Sequence, residues 1–167
     1  MDIPRDLDGL TALFTKLGAR EAEIWARSQI DEGIPQLQRF LFLRQAWQSV
    51  VRDGDTSWIE GAVRHAQRNA DSPYAAVGQA LQRCLDAGAS ARDLTDIVRG
   101  MQAELLFGFC YLLDDPAFTE PELADVAWGL FEMDASGNPI LPRIAGLHES
   151  VLETDPTGQE MRAQARS

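Results

Sequence analysis

The sequence predicts an all-α fold: an antiparallel bundle or compact array of about seven helices, followed by a short irregular or β-hairpin-containing C-terminal extension. Three observations predict it. Helix start and stop signals recur at short intervals, and apolar residues repeat at helical spacing between them. The pattern then breaks near residue 132, where turn residues, prolines and acids take over.

In chain order, "LDGLTALFTKLG" and "AREAEIWARSQIDEG" read as two short helices, and "IPQLQRFLFLRQAWQSVVRDG" as a third with Pro35 near its start. In "SWIEGAVRHAQRNA", Ser57 and Glu60 form a capping box ahead of a stripe of Trp58, Ile59, Ala62, Val63 and Ala66. In "SPYAAVGQALQRCLDAG", Ser72 is the expected N-cap and Pro73 the first helical residue, with Gly88 just past the end. Tyr74, Val77, Leu81, Cys84 and Leu85 share its apolar face. The helix from Ser90 to Leu113 repeats Leu94, Ile97, Val98, Met101, Leu105, Phe109 and Leu112, and from Leu105 onward every side is apolar. That half is expected to be the buried centre. "TEPELADVAWGLFEM" offers Thr119 with Glu122 as a capping box and Val126, Ala127, Leu130 and Phe131 as a buried side. "DASGNPILPRI" follows, with Gly137 free to take a positive φ and Pro139 and Pro142 excluding helix interior; a turn, at most a small hairpin, is expected, then one helical turn at "LHESVL". The expected organisation is a single domain: a helical body over residues 1–131 and an acidic extension over 132–167 packed on it, with a mobile tail from about residue 156.

At 167 residues, 45% apolar and 25% charged, the chain can build one core. Its start has neither a basic nor an apolar leader region, and its longest apolar run, Leu105 to Leu113, is far short of the ~20 residues a bilayer span needs. A cytoplasmic location is the expectation. Cys84 and Cys110 lack metal or redox spacing and are expected as buried free thiols.

Charge is unevenly distributed. Residues 1–113 hold 15 acids and 12 bases, whereas residues 114–160 hold 11 acids and only Arg143; Arg162 and Arg166 follow, for a net charge of −11. Such a field repels nucleic acid and anionic membranes and steers basic partners. Acids of this kind also serve simply as a solubility device.

Catalytic signatures are missing: there is no phosphate-binding loop, GxSxG, HExxH or paired CxxC, and His65 and His148 are the two imidazoles. A calcium loop at Asp134, Ser136 and Asn138 fails, because Pro139 stands where that loop needs glycine and Ala145 where it needs glutamate. A helix-turn-helix around Gly88 fails on charge, since Asp93 and Asp96 accompany Arg92 and Arg99. No cofactor and no metal is implied.

Two local rules are broken. Arg44 projects into the stripe of Leu37, Phe40, Leu41, Trp47 and Val51, and Glu104 flanks Ile97 and Met101; they either snorkel or form a buried ion pair. Asp114 and Asp115 close a helix at the negative end of its dipole, which calls for a basic partner, a metal or a nearby arginine.

The favoured function is a non-enzymatic acidic protein that engages a basic protein partner through its last third, like immunity or inhibitor proteins in size and charge only. The expected contributors are Asp114, Asp115, Glu120, Glu122, Asp125, Asp134, Glu149, Glu153 and Asp155. The alternative is a small-molecule or metal-dependent site between bundle and tail, with His148 as ligand or base beside Asp114 or Asp115. A third reading is a homo-oligomer sealed by Trp25, Trp47, Trp58 and Trp128.

Overall fold

A computed structural model describes residues 3–162. Among them are six α-helices: α1 (Leu7–Leu17), α2 (Ala22–Asp31), α3 (Gln36–Ala46), α4 (Ser57–Arg68), α5 (Ala75–Asp86) and α6 (Ala91–Asp114). An antiparallel hairpin of β1 (Leu130–Met133) and β2 (Pro139–Ile144) follows, then a 3-10 turn over Leu147–Ser150. The fold is therefore an all-α array with a β-hairpin near its C-terminus. Packing divides it into two units, one holding the described residues up to Gln48 and from Leu105 onward, the other Ser49–Glu104.

The first unit is built on α1, α2 and α3. Asp6 caps α1 by accepting from the Gly9 amide at 2.9 Å, and Gly18 ends it at φ 91, a left-handed conformation that glycine takes without strain. Leu10, Phe14, Trp25, Ala26, Leu37 and Phe40 form one core. Its three rings meet at centroid distances of 5.4 to 6.0 Å, with Phe40 edge-on to both others. The chain tightens into a 3-10 turn at Trp47–Ser49, so the buried face of α3 runs through Gln36, Leu37, Arg39, Phe40 and Leu43 to Trp47. Arg44 lies outside that face and is exposed, as is Glu104. The expected stripe ran on to Val51, beyond the helix end, and this misplaced its axis; the buried arginine is Arg39.

In the second unit, α4 and α5 pack closely through Gly78, where an added Cβ would lie 2.1 Å from the Ala62 carbonyl oxygen. The buried face of α5 is consequently the small one, Ala75, Gly78 and Leu81, whereas Tyr74, Val77 and Cys84 are exposed. Two expectations fail here: Cys84 is not a buried thiol, and Ser72 does not cap. Helix α5 starts at Ala75, after Tyr74 at φ 69, and the Ser72 hydroxyl donates to the Asn69 carbonyl. The Ser57–Glu60 capping box is also replaced, because Ser57 is already helical and its amide donates to Asp55, whose carboxyl the Ser57 side chain, and then that amide, hold below the usual range. Ser90 does cap α6, accepting from the Asp93 amide.

The buried side of α6 in this unit is its polar one. Thr95 accepts from the Trp58 indole and donates to the Ala91 carbonyl, and Arg99 donates to the Val51 carbonyl, while Gln102 accepts from the Val51 amide. Ile97 and Met101 face outward.

The expected seventh helix is absent. "PEL" at Pro121–Leu123 makes a 3-10 turn, and Leu130–Met133 forms β1. Pairing decides this segment: Leu130 faces Ile144 and Met133 faces Pro139 across the hairpin. Its turn is set by Asp134, which accepts from the amides of Ser136 and Asn138, and by Gly137 at φ 82.

Candidate functional site

The end of α6 gathers the residues of interest, and its interior and exterior differ in kind. On the interior side, Asp114 accepts from the Gly146 amide at 3.1 Å through Oδ1, and its Oδ2 lies 2.9 Å from His148 Nδ1. Nδ1–H donates to this acceptor, leaving Nε2 as the ring's other functional nitrogen. Phe107 and Tyr111, one turn apart on α6, stand edge-on to the imidazole at 5.8 and 5.0 Å. His148 keeps a quarter of its side chain exposed, and Asp114 a tenth.

Beneath this pair lies Arg39. Its guanidinium donates to the Gly146 carbonyl and to Ser150 Oγ at 3.1 Å, with Glu149 at 3.5 Å. Gly146 is at φ 70, and an added Cβ would meet Arg39 Nη2 at 3.0 Å, so conformation and space both require glycine. The Trp47 indole donates to the Val151 carbonyl at 2.9 Å. Two buried polar side chains of α3 and its turn thus hold the segment after the hairpin, where an apolar contact would not fix its register.

The helix end is compensated from within. Arg143 Nη1 donates to the carbonyls of Asp114 and Trp128, at 3.3 and 3.4 Å, and the Trp128 indole donates to the Leu112 carbonyl at 2.6 Å. These satisfy orphan carbonyls and place a cation at the negative pole. Of the three compensators expected for Asp114 and Asp115, an arginine is present.

On the exterior, the expected buried centre is open. Leu105 is 59% exposed, Phe109 57% and Leu112 43%. At 100° per residue these three fall within about 60° of arc, on the side of α6 opposite the buried Cys110. Burial, aided by the neighbouring Asp114 charge, pushes the Cys110 thiol up to about 11. Phe118 packs edge-on to Trp128 at 5.4 Å, so the segment after α6 folds back upon that helix end. Exposed large apolar groups in such number on one helix end are a departure from ordinary surfaces.

The nine acidic residues divide accordingly. Asp114 is inside the cluster just described. Asp155 is buried, accepting from the Thr157 hydroxyl and the amides of Thr157 and Met161, and so is not displayed. Asp134 is exposed but occupied by its turn; the Asn138 amide and side chain hold its carboxyl below the usual range. Glu149 stands beside Arg39, and Glu153 is part-buried, its carboxyl pushed up by desolvation and by Glu21. Asp115 accepts from the Ala117 amide and remains exposed. Together with Glu120, Glu122 and Asp125, all exposed, it lies on the stretch that Trp128 pins to α6. Four of the nine, Asp115, Glu120, Glu122 and Asp125, are thus exposed just past the end of α6 and on the segment that follows it.

Sequence reasoning missed Arg39 and Arg143. The signal for Arg39 was available, since residues 36, 39, 40, 43 and 47 share one helical face. No local signal marked Arg143.

The tail is held as far as it is described: Arg20 donates to the carbonyls of Gly158 and Glu153, at 2.7 and 2.9 Å. The rest of the expected mobile tail, with Arg166, lies outside the described residues. Of the four tryptophans, Trp25 and Trp47 are buried, Trp58 is half-buried and Trp128 is 41% exposed. A shallow cleft of about 230 Å³ between β2 and the α2–α3 link, lined by Gln29, Pro35, Gln38 and Leu141, is smaller than ordinary ligand pockets. Among the described residues no group of three or more metal-binding side chains converges, and no helix is long and apolar enough to cross a membrane. The chain matches no family model, no curated protein and no solved structure.

Proposed function

We propose that this is a non-enzymatic binding protein that engages a basic protein partner through its C-terminal third. The observation that carries the reading is the open apolar face of Leu105, Phe109 and Leu112, followed in the chain by the exposed acids Asp115, Glu120, Glu122 and Asp125 on the segment that the Trp128 indole ties to the same helix end. An apolar centre with a charged rim is the anatomy of a protein interface, and the rim's sign selects a cationic partner. The same sign, with a net charge of −11, opposes both an anionic membrane and a second copy of the chain. A cytoplasmic location belongs to this reading; the two free cysteines fit a reducing compartment. The test is a pull-down from native lysate at low and moderate salt, comparing wild type with the Glu120→Gln, Glu122→Gln, Asp125→Asn variant. Capture of a basic protein by wild type, lost with salt and in the variant, is expected; capture that survives both excludes the acidic rim as its basis.

A second reading rests on the contact between His148 and Asp114, in which a carboxylate orients an imidazole whose side chain is partly accessible. That pairing suits a general base or a ligand for a small molecule or metal. Thermal stabilisation by a metal or metabolite that disappears in His148→Ala would favour it over the first.

A further inference from the structure

We infer that the partner of the open α6 face is an amphipathic, basic-flanked α-helix, and that Leu105, Gly108, Phe109 and Leu112 form the hole that receives one of its large apolar side chains. This rests on the binding reading above and adds the shape of what binds. The four positions are i, i+3, i+4 and i+7 of one helix, the arrangement into which a side chain of a facing helix inserts. Gly108 occupies one corner, exposed, with nothing within 4 Å of the place where its Cβ would stand. Glycine in a helix interior is less favourable than alanine, and among the described residues no neighbour requires it there. A missing side chain between three exposed apolar ones leaves a notch, and an approaching helix uses a notch where a flat strand does not. Charge settles the flanks. Asp115 is exposed and closes this end of α6, and Glu120, Glu122 and Asp125 follow on the segment fastened to the same helix end by Trp128. A second copy would bring the same acids against themselves, so the helix belongs to a cationic protein.

The experiment uses the full chain and two synthetic peptides of identical leucine and lysine content. One has leucines at helical spacing; the other alternates leucine and lysine in strand fashion. Binding is read by fluorescence anisotropy of labelled peptide at low salt, with wild type and Gly108→Leu. Gly108→Leu fills the notch while favouring helix, so its circular dichroism and urea midpoint should match or exceed those of wild type. The expected result is saturable binding of the helical peptide, with weaker binding of the alternating one and about tenfold loss of affinity in Gly108→Leu. Equal binding of both peptides, weakened equally by Glu120→Gln, Glu122→Gln, Asp125→Asn, overturns the helical occupant and leaves the acidic binding reading standing. Binding indifferent to Gly108→Leu also overturns it, as does failure of the helical peptide to bind. A dimer of the free protein by light scattering that Gly108→Leu dissociates overturns it in favour of a second copy.

Discussion

Phe14 on α1 and Phe109 on α6 occupy similarly apolar stretches of the same packing unit, yet Phe14 is fully buried and Phe109 is 57% exposed. The difference lies in the neighbours. Around Phe14 three short helices each contribute a ring or a leucine, and the core closes on itself. Around the end of α6 the chain supplies a hairpin and turns, and these are held by polar contacts: Arg39 to Gly146, Trp47 to Val151, Asp114 to His148. The inward side of α6 there carries Asp114, the buried Cys110 and the rings of Phe107 and Tyr111 beside His148, and Leu105, Phe109 and Leu112 are left outward with no element of the described chain to bury them. Apolar composition sets how much a helix can bury; the partner element decides which side it does bury.

Substitutions can break this contrast. The largest effect is expected for Phe14→Ala, which removes a ring from a closed core and should cost ~3–5 kcal/mol in urea unfolding. Arg39→Met should follow at ~2–4 kcal/mol, because the Gly146 carbonyl and Ser150 hydroxyl lose their donor; a change under about 0.5 kcal/mol would show that the polar anchorage is dispensable.

A smaller effect concerns pH. The Glu153 carboxyl is raised in the folded state, so the folded protein holds that proton more tightly than the unfolded chain. The stability it contributes is complete below the ordinary carboxylate range and is lost as pH rises through the raised value. Glu153→Gln should therefore increase the urea midpoint at neutral pH and leave it unchanged in acid. Asp134 has the opposite sign: its carboxyl is lowered, so its contribution is present above the ordinary range and lost as pH falls through the lowered value. The least demanding check is chemical. A thiol reagent should label Cys84 in the native protein and reach Cys110 only on unfolding.

The helical class, the Ser90 cap, the turn at "DASGNP" and the single helical turn at "LHESVL" were legible, because each depends on side chains within a few residues. The failures share a cause in long-range contacts. "LFEM" has helical spacing when read alone and becomes a strand because Pro139–Ile144 pairs with it. The buried face of α5 follows the small residues that let α4 approach, where hydrophobicity pointed to Tyr74 and Val77. Stripe projection placed Arg44 inside because it assumed that α3 continues past Ala46. At the candidate site, the acidity of the last third was plain in the sequence. The division into acids that brace turns and acids that face outward depends on backbone amides that only the fold brings near them.

The central claim, that the Leu105, Phe109 and Leu112 face of α6 is open and not core, is tested most directly by urea unfolding of Phe109→Ser. The account predicts a stability within about 0.5 kcal/mol of wild type, as for an exposed site. A loss of ~3 kcal/mol or more, the size expected for emptying a core position, would contradict it.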